Sequence, residues 1–166
     1  KPCEVILLVD HSGSMGGSKW EAADWAVEKA LRSLGPDDRF NLCLFHSVTK
    51  WFAPKPVEAK RTCVDKAVMF LRDRSSGGTE LGMALEQALM QESTVGDMAR
   101  QVLIITDAQV TDDERIISLV RRERIERGGR RCNVLCIDAS PNARLARQIA
   151  KAGGGSCRFL TSSAEE

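Results

Sequence analysis

Apolar runs and amphipathic stretches alternate along the chain. The runs at 5–9 and 102–106 contain no charged position, which is typical of strands buried on both faces of a parallel sheet. Between such runs, apolar residues recur three and four positions apart, which indicates amphipathic helices. The pattern predicts strands over 5–9, 40–45, 48–52, 102–106, 132–137 and 157–160, and helices over about 18–34, 62–72, 80–89, 111–127 and from 140 to the glycines at 153–155.

This alternation of strands and helices, joined by short loops, predicts an α/β fold. We expect a Rossmann-like, doubly wound and mostly parallel sheet of about six strands with helices on both faces. The run at 48–52 follows the strand at 40–45 after a turn at His46 and Ser47, so it is predicted as a short antiparallel edge strand. A chain of 166 residues that is 43% hydrophobic is long enough for one core, so residues 1–166 are predicted to form a single domain.

Several helix starts carry the sequence signature of an N-cap. Capping boxes, in which Ser or Thr is followed three residues later by an acidic residue, predict helix starts at Ser18, Thr62 and Thr111. Thr79 is predicted as the N-cap of the helix that begins at about 80. Ser140, followed by proline, is predicted as the N-cap of the last helix.

Charge and hydropathy exclude two classes of partner. The formal net charge is +1, and the arginine-rich region at 121–131 is interleaved with Glu123 and Glu126 and contains no aromatic residue for base stacking. That region is therefore predicted to be a solvated helix face, with Glu123 one turn before Arg127, and no nucleic acid partner is expected. No apolar run approaches the roughly 20 residues of a membrane span, so we expect no direct membrane insertion.

The chain has six cysteines. Cys43 and Cys136 lie inside predicted strands, and no pair has C-x-x-C spacing, which argues against a zinc site. Buried, reduced thiols are the favoured interpretation, and they favour a cytoplasmic setting. An extracellular setting, in which Cys3 pairs with Cys157 or Cys63, is the alternative that the sequence leaves open.

Oxygen-bearing side chains follow the predicted strands. Asp10 ends the first strand, Ser12 and Ser14 come next among glycines, and Asp107 ends a later strand as Asp10 ends the first. Because the carboxyl ends of parallel strands share one edge of a sheet, these residues and Thr79 are expected to converge. Hard oxygen ligands without histidine or cysteine favour Mg²⁺, Mn²⁺ or Ca²⁺ over zinc or copper. The alternative is that these oxygens only cap helices and turns.

The same residues carry a family resemblance. The motifs D-x-S-x-S at 10–14, G-G-T at 77–79 and T-D at 106–107 resemble the metal-ion-dependent adhesion site of von Willebrand factor type A domains. The stretches FNLCLFHSVTKWF, GGTELGMALEQAL and ARQIAKAGGGSCRF are most similar to the inter-alpha-trypsin-inhibitor heavy-chain subgroup.

The resemblance implies a role for each site residue. Ser12 and Ser14 would bind the ion directly, Thr79 would bind it directly in a ligand-engaged state, and Asp10 and Asp107 would bind it directly or through water. The ion, Mg²⁺ or else Mn²⁺ or Ca²⁺, would then accept an Asp or Glu carboxylate from a protein partner. The implied function is non-enzymatic protein binding in cell adhesion or intracellular complex assembly, by a domain that is monomeric in isolation.

The chain departs from the family pattern at two places. Residue 108 is alanine where these domains commonly have glycine, which restricts the backbone beside Asp107. The family usually continues after its last strand with a long helix, of which only 161–166 would remain here, so the C-terminal helix is predicted to be truncated.

Three other functions compete with metal-dependent binding. A scaffolding module could keep the metal site only as a structural or vestigial feature. A serine hydrolase could use Ser14 with His11 or His46 as base, although Ser12 replaces the first glycine of the G-x-S-x-G motif. A phosphate-handling receiver or phosphatase would need a lysine after the later strand, where the chain has Asp138, which is predicted to be a turn residue instead.

Overall fold

The computed structural model describes residues 2–73, 77–78, 80–91, 98–109, 113–127, 129–138 and 143–161. The strands are β1 Cys3–Asp10, β2 Arg39–Phe45, β3 Thr49–Trp51, β4 Val57–Glu58, β5 Ala99–Thr106, β6 Arg131–Ile137 and β7 Gly154–Leu160. The helices are α1 Ser18–Arg32, α2 Arg61–Leu71, α3 Leu81–Met90, α4 Asp113–Arg122 and α5 Ala143–Ala152, with a 3₁₀ turn at Gly13–Met15 and a π-helical turn at Glu123–Arg127. Within these ranges, no helix combines the length and the apolar character needed to cross a membrane.

The strands form one mostly parallel sheet in the order β3-β2-β1-β5-β6-β7. β1 lies between β2 and β5 and is parallel to both, while β6 and β7 extend the parallel sheet beyond β5. β3 pairs antiparallel with β2, which confirms the predicted edge strand. β4, which also pairs antiparallel with β2, was not predicted, because a two-residue strand after Pro54 and Pro56 has no detectable alternation.

Helices cover both faces of the sheet, as predicted for a doubly wound fold. α1 and α2 pack on one face through a cluster that includes Leu7, Val27 and Val68. α3, α4 and α5 pack on the other face through a cluster that includes Ile6 and Leu85. Ile6 and Leu7 are neighbours on β1 yet belong to opposite clusters, as the period-two alternation of a strand requires.

Three predicted N-caps are wrong. α1 starts at Ser18 itself and is preceded by Gly17, whose φ of 78° only glycine adopts without strain. α2 starts at Arg61 after Lys60, so Thr62 lies inside the helix. The N-cap residue lies one position before Ser18 in α1 and two positions before Thr62 in α2, and neither helix has a side-chain cap hydrogen bond. α3 starts at Leu81 and its N-cap is Glu80, so the predicted Thr79 cap is wrong. Thr111 and Ser140 lie outside the described residues.

Arg130 corrects the prediction of a solvated arginine face. Arg121, Arg122 and Arg124 are exposed, but Arg130 is only 3% exposed and donates from Nε to Glu4 Oε1 at 2.9 Å. Glu123 is also buried and accepts a hydrogen bond from the Arg130 backbone N–H at 3.0 Å, so it is not part of an exposed charged face. Arg130 is buried because it directly precedes β6 at the amino edge of the sheet, where β1 also begins and carries Glu4.

All six cysteines are free of disulfide bonds in this structure, and Cys43, Cys132 and Cys136 are buried, which confirms the predicted burial of Cys43 and Cys136. Burial raises the pKa of Cys43 and Cys132 to about 12 and that of Cys136 to about 11.

Because the thiolate is the reactive form of cysteine, we expect iodoacetamide at about pH 8 to label Cys43, Cys132 and Cys136 at least about 100-fold more slowly than Cys63 in the native protein. Mass spectrometry of the labelled peptides measures this, with the guanidinium-unfolded protein as control. Comparable rates in the native protein would contradict the prediction.

Candidate metal centre

The carboxyl ends of two adjacent strands bring the predicted acidic residues to one edge of the sheet. β1 ends at Asp10, and Asp107 directly follows β5. The two strands are parallel, with Val9 opposite Ile105, so their ends lie side by side. Asp10 and Asp107 are 0% and 1% exposed, so two carboxylates are buried at this edge.

Asp10 is held by donors from both strand ends. Its Oδ1 accepts the Ser12 backbone N–H at 2.8 Å, and its Oδ2 accepts the Thr106 hydroxyl at 2.6 Å. Burial raises the pKa of the Asp10 carboxyl, hydrogen bonds from Ser12 and Thr106 lower it, and the negative charge of Asp107 raises it further. The Asp10 site therefore favours an added positive charge.

Asp107 is paired with Lys19, which was not among the residues singled out from the sequence. Its Oδ1 accepts the Gln109 backbone N–H at 3.1 Å, and its Oδ2 accepts Lys19 Nζ at 3.1 Å. Lys19 lies in the first turn of α1, and its side chain is 22% exposed. One signal was available in the sequence: a cation in the first turn of a helix opposes the helix dipole and therefore suggests a nearby anion.

The two serines lie on the loop that follows β1. The Oγ atoms of Ser12 and Ser14 are 3.1 Å apart, and Gly13–Met15 forms a 3₁₀ turn whose Met15 side chain is fully buried. The buried methionine anchors the turn in the core. The serine hydroxyls are thus adjacent to each other, with Ser12 also bonded to Asp10 through its backbone.

The glycine loop at 77–78 abuts the serine loop. The Gly13 N–H donates to the Gly77 carbonyl at 3.0 Å. Gly77 is closely packed, because a Cβ there would lie 2.4 Å from Ser47 Oγ. Thr79, the remaining predicted ligand, lies outside the described residues.

The donor set fits a hard divalent cation. Asp10 and Asp107 offer two carboxylates, and Ser12 and Ser14 offer two neutral hydroxyls at the same edge. Oxygen donors of this kind suit Mg²⁺, Mn²⁺ or Ca²⁺. Over the described ranges, no cluster of three or more His, Cys, Asp or Glu side chains offers a metal site, so the candidate site depends on its hydroxyl groups.

Ala108 has the conformation of a glycine. Its φ is 62°, in the left-handed region, which costs a residue with a Cβ about 1–2 kcal/mol. Its backbone N–H donates to the Thr106 hydroxyl at 2.9 Å, so the strained residue also orients the hydroxyl that binds Asp10. From the sequence, alanine at position 108 was expected to restrict the backbone beside Asp107. The structure shows this restriction as a strained, left-handed backbone at Ala108.

The histidines that a serine hydrolase would need contact other groups. The centroid of the His11 ring lies 5.6 Å from the centroid of the Trp20 ring, and the His11 side chain is buried. His46 Nδ1 lies 3.3 Å from Ser47 Oγ. Ser14 instead contacts Ser12, so the geometry does not favour a nucleophilic serine.

Asp138 lies in a bend after β6 with a φ of 60°, which aspartate tolerates better than most residues, and its N–H donates to the Leu160 carbonyl at 2.9 Å. These features agree with the predicted turn.

Sequence comparison identifies relatives over most of the chain. A family model described as von Willebrand factor type A domain matches residues 3–159. The chain is 31% identical to a von Willebrand factor A domain-containing protein of Dictyostelium discoideum over 72% of its length, and 30% identical to human inter-alpha-trypsin inhibitor heavy chain H4 over 68% of its length. It spans only 13% of each of these two relatives.

Solved structures share the fold. A von Willebrand factor type A structure from Catenulispora acidiphila superposes with a TM-score of 0.83 at 20% identity, over 96% of this chain and 39% of that chain. Manganese-loaded TRAP protein of Plasmodium vivax superposes with a TM-score of 0.71 at 19% identity, over 97% of this chain and 69% of that chain. Together with the match over residues 3–159, these findings confirm the resemblance read from the motifs, and the chain belongs to the von Willebrand factor type A domain family.

Proposed function

We propose that this chain is a divalent-cation-dependent protein-binding domain. The observation that carries the proposal is the burial of two carboxylates, Asp10 and Asp107, beside a pair of serine hydroxyls 3.1 Å apart at the carboxyl edge of the sheet. Von Willebrand factor type A domains are generally protein-interaction modules, which supports a binding function. The proposed ligands are Asp10, Ser12, Ser14, Thr79 and Asp107.

Charge explains how such a site would recruit a partner. Two carboxylates approximately neutralise a divalent ion, while hydroxyl ligands complete its shell without adding negative charge. A bound ion would supply a Lewis-acidic position with affinity for another carboxylate. The proposed partner is therefore a protein that presents an Asp or Glu side chain.

Mg²⁺ is the proposed ion, with Mn²⁺ or Ca²⁺ as alternatives. Neutral hydroxyls and carboxylates are hard ligands that all three ions accept. The manganese-loaded TRAP protein, which shares the fold, supports a divalent ion without choosing among the three.

Calorimetric titration of the domain with MgCl₂ and MnCl₂ tests the metal part of the proposal. Partners captured from a native lysate in Mg²⁺ and in EDTA test the binding part. We expect a saturable heat of metal binding and a set of partners that is lost in EDTA. Absence of any divalent-ion binding to the wild-type domain would overturn the proposal.

A scaffolding module without a functional ion is the second candidate. The Lys19–Asp107 ion pair favours it, because a lysine already supplies positive charge to the site. A scaffolding function predicts that the proteins captured from a native lysate are the same in Mg²⁺ and in EDTA.

We further propose that the domain is not an enzyme. The contacts of His11 with Trp20 and of His46 with Ser47 support this, since neither histidine is committed to Ser14. A serine-directed fluorophosphonate probe is expected to leave Ser14 unlabelled. Labelling that disappears in Ser14→Ala would instead identify a hydrolase.

A further inference from the structure

Lys19 lies at the candidate site, but metal-dependent binding assigns it no role. Its ammonium lies 3.1 Å from Asp107 Oδ2, at an edge where a divalent ion would need the same carboxylate. We propose that Lys19 is a tethered counter-ion that competes with the divalent cation for Asp107. This inference rests on the proposed function, because it assigns the competitor at that same site.

The position of Lys19 indicates that its charge serves the site rather than the helix. It occupies the first turn of α1, next to the helix N-terminus, where the helix dipole disfavours a cation. Asp107 is 1% exposed, so its carboxylate is separated from bulk water and needs a nearby positive charge. The Lys19 ammonium supplies that charge across 88 residues of sequence.

The contacts of Asp107 explain why the two cations would compete. Oδ1 is occupied by the Gln109 N–H and Oδ2 by Lys19, so an ion that approaches this carboxylate meets the ammonium. A divalent ion and an ammonium on one carboxylate repel each other strongly in a buried site. Metal binding therefore requires the ammonium to move away from Asp107.

The exposure of Lys19 makes such a movement feasible. The side chain is 22% exposed, whereas the two carboxylates are almost fully buried. A lysine has a flexible four-carbon stem and an ammonium group that water hydrates strongly. The Lys19 ammonium can therefore leave the Asp107 carboxylate and become hydrated. Divalent-ion affinity is thus reduced by the free energy needed to release Lys19.

The test compares the wild-type domain with Lys19→Gln, Lys19→Arg and Lys29→Gln by calorimetric titration with MgCl₂ and MnCl₂. Lys29→Gln is the matched control, because Lys29 lies on the same helix but is exposed and contacts the Trp25 ring. We expect Lys19→Gln to bind Mg²⁺ about 10-fold or more tightly than wild type, because the substitution removes the repulsion between the ammonium and the ion. Lys19→Arg, which keeps the charge, should bind no more tightly than wild type, and Lys29→Gln should match wild type.

Thermal unfolding gives a second readout. Without metal, Lys19→Gln should unfold at a lower temperature than wild type, because Asp107 loses its counter-ion. With saturating Mg²⁺ the difference should shrink, since the ion then supplies the charge. If Lys19→Gln is unfolded without metal, recovery of the folded circular dichroism spectrum on adding Mg²⁺ supports the proposal, and failure to recover it overturns it.

The outcomes separate this inference from the proposed function. If neither wild type nor Lys19→Gln binds a divalent ion, the proposed function fails. If wild type binds and Lys19→Gln binds equally or more weakly, the competitor role of Lys19 is overturned while the proposed function stands. If only Lys19→Gln binds, Lys19 replaces the ion in the natural protein, which supports the inference and favours the scaffolding function.

Discussion

Replacing Arg130 with methionine is expected to lower the free energy of unfolding by about 3–5 kcal/mol, the usual cost of removing one partner from a buried ion pair. Glu4 is 0% exposed and would keep its charge without the Nε–H that now lies 2.9 Å from its Oε1. The guanidinium also donates from Nη1 to the Ala88 and Gln91 carbonyls, at 3.1 and 3.2 Å, so the end of α3 would lose two hydrogen bonds as well. Urea unfolding followed by circular dichroism measures the loss.

Arg131→Met is the matched control for this prediction. Arg131 is the next residue and is exposed, so the same substitution there should change the free energy of unfolding by less than about 0.5 kcal/mol. The double variant Glu4→Leu with Arg130→Met should recover part of the loss, because apolar side chains can replace a buried pair. Recovery would be incomplete, since the two carbonyls still lack their donor. A loss below about 1 kcal/mol in Arg130→Met would show that Arg100, whose Nε lies 4.0 Å from Glu4 Oε2, can replace Arg130.

The sheet and its acidic edge were predictable because they depend on periodicity within single segments. An uninterrupted apolar run predicts a strand buried on both faces, and strands that alternate with helices are parallel neighbours. Asp10 and Asp107 each come directly after such a run, so their convergence followed from the topology. The resemblance of the motifs to the von Willebrand factor type A family then implied a divalent ion and a ligand role for the serines, which stay predictions.

The pairings across the fold were not predictable in the same way. Lys19 reaches Asp107 across 88 residues, and Arg130 reaches Glu4 across 126. Periodicity reports which side of one segment is buried, but it does not identify the charged group that a distant segment brings there. Arg130 was for that reason grouped with exposed arginines that are its neighbours only in sequence.

The two ion pairs at opposite edges of the sheet differ in one physical property. At the amino edge Arg130 is 3% exposed and bound to two carbonyls, so its charge is fixed. At the carboxyl edge the Lys19 side chain is 22% exposed, so its charge can leave. The fold thus has a buried, fixed counter-ion at its amino edge and a partly exposed, releasable one at the candidate metal site.

Asp10→Ala is expected to weaken Mg²⁺ binding by at least about 100-fold while the domain stays folded. The substitution removes one of the two carboxylates that would balance the ion. It also leaves the Ser12 N–H and the Thr106 hydroxyl without the acceptor they now have at 2.8 and 2.6 Å, which costs stability. That cost is offset, because burial raises the pKa of Asp10 and the variant no longer buries this charge.

Calorimetry with MgCl₂ and circular dichroism of Asp10→Ala measure the two parts of this prediction separately. Asp65→Ala is the control, because Asp65 is an exposed aspartate in an ion pair with Arg32, and its loss should leave metal affinity unchanged. If Asp10→Ala does not fold, Asp10→Asn removes the charge and keeps an acceptor for the Ser12 N–H, although its amide NH₂ replaces the oxygen that accepts the Thr106 hydroxyl. Binding within about threefold of wild type in a folded Asp10 variant would remove Asp10 from the ligand set.

Asp10→Ala and Lys19→Gln together test whether charge controls the site. General damage to the loops would weaken metal binding in both variants. If charge controls the site, the two substitutions should shift the Mg²⁺ affinity in opposite directions. Asp10→Ala removes a negative charge from the surroundings of the ion, and Lys19→Gln removes a positive charge. Weaker binding in Asp10→Ala and tighter binding in Lys19→Gln, with both folded, is the result expected if the two side chains act on the same ion with opposite sign.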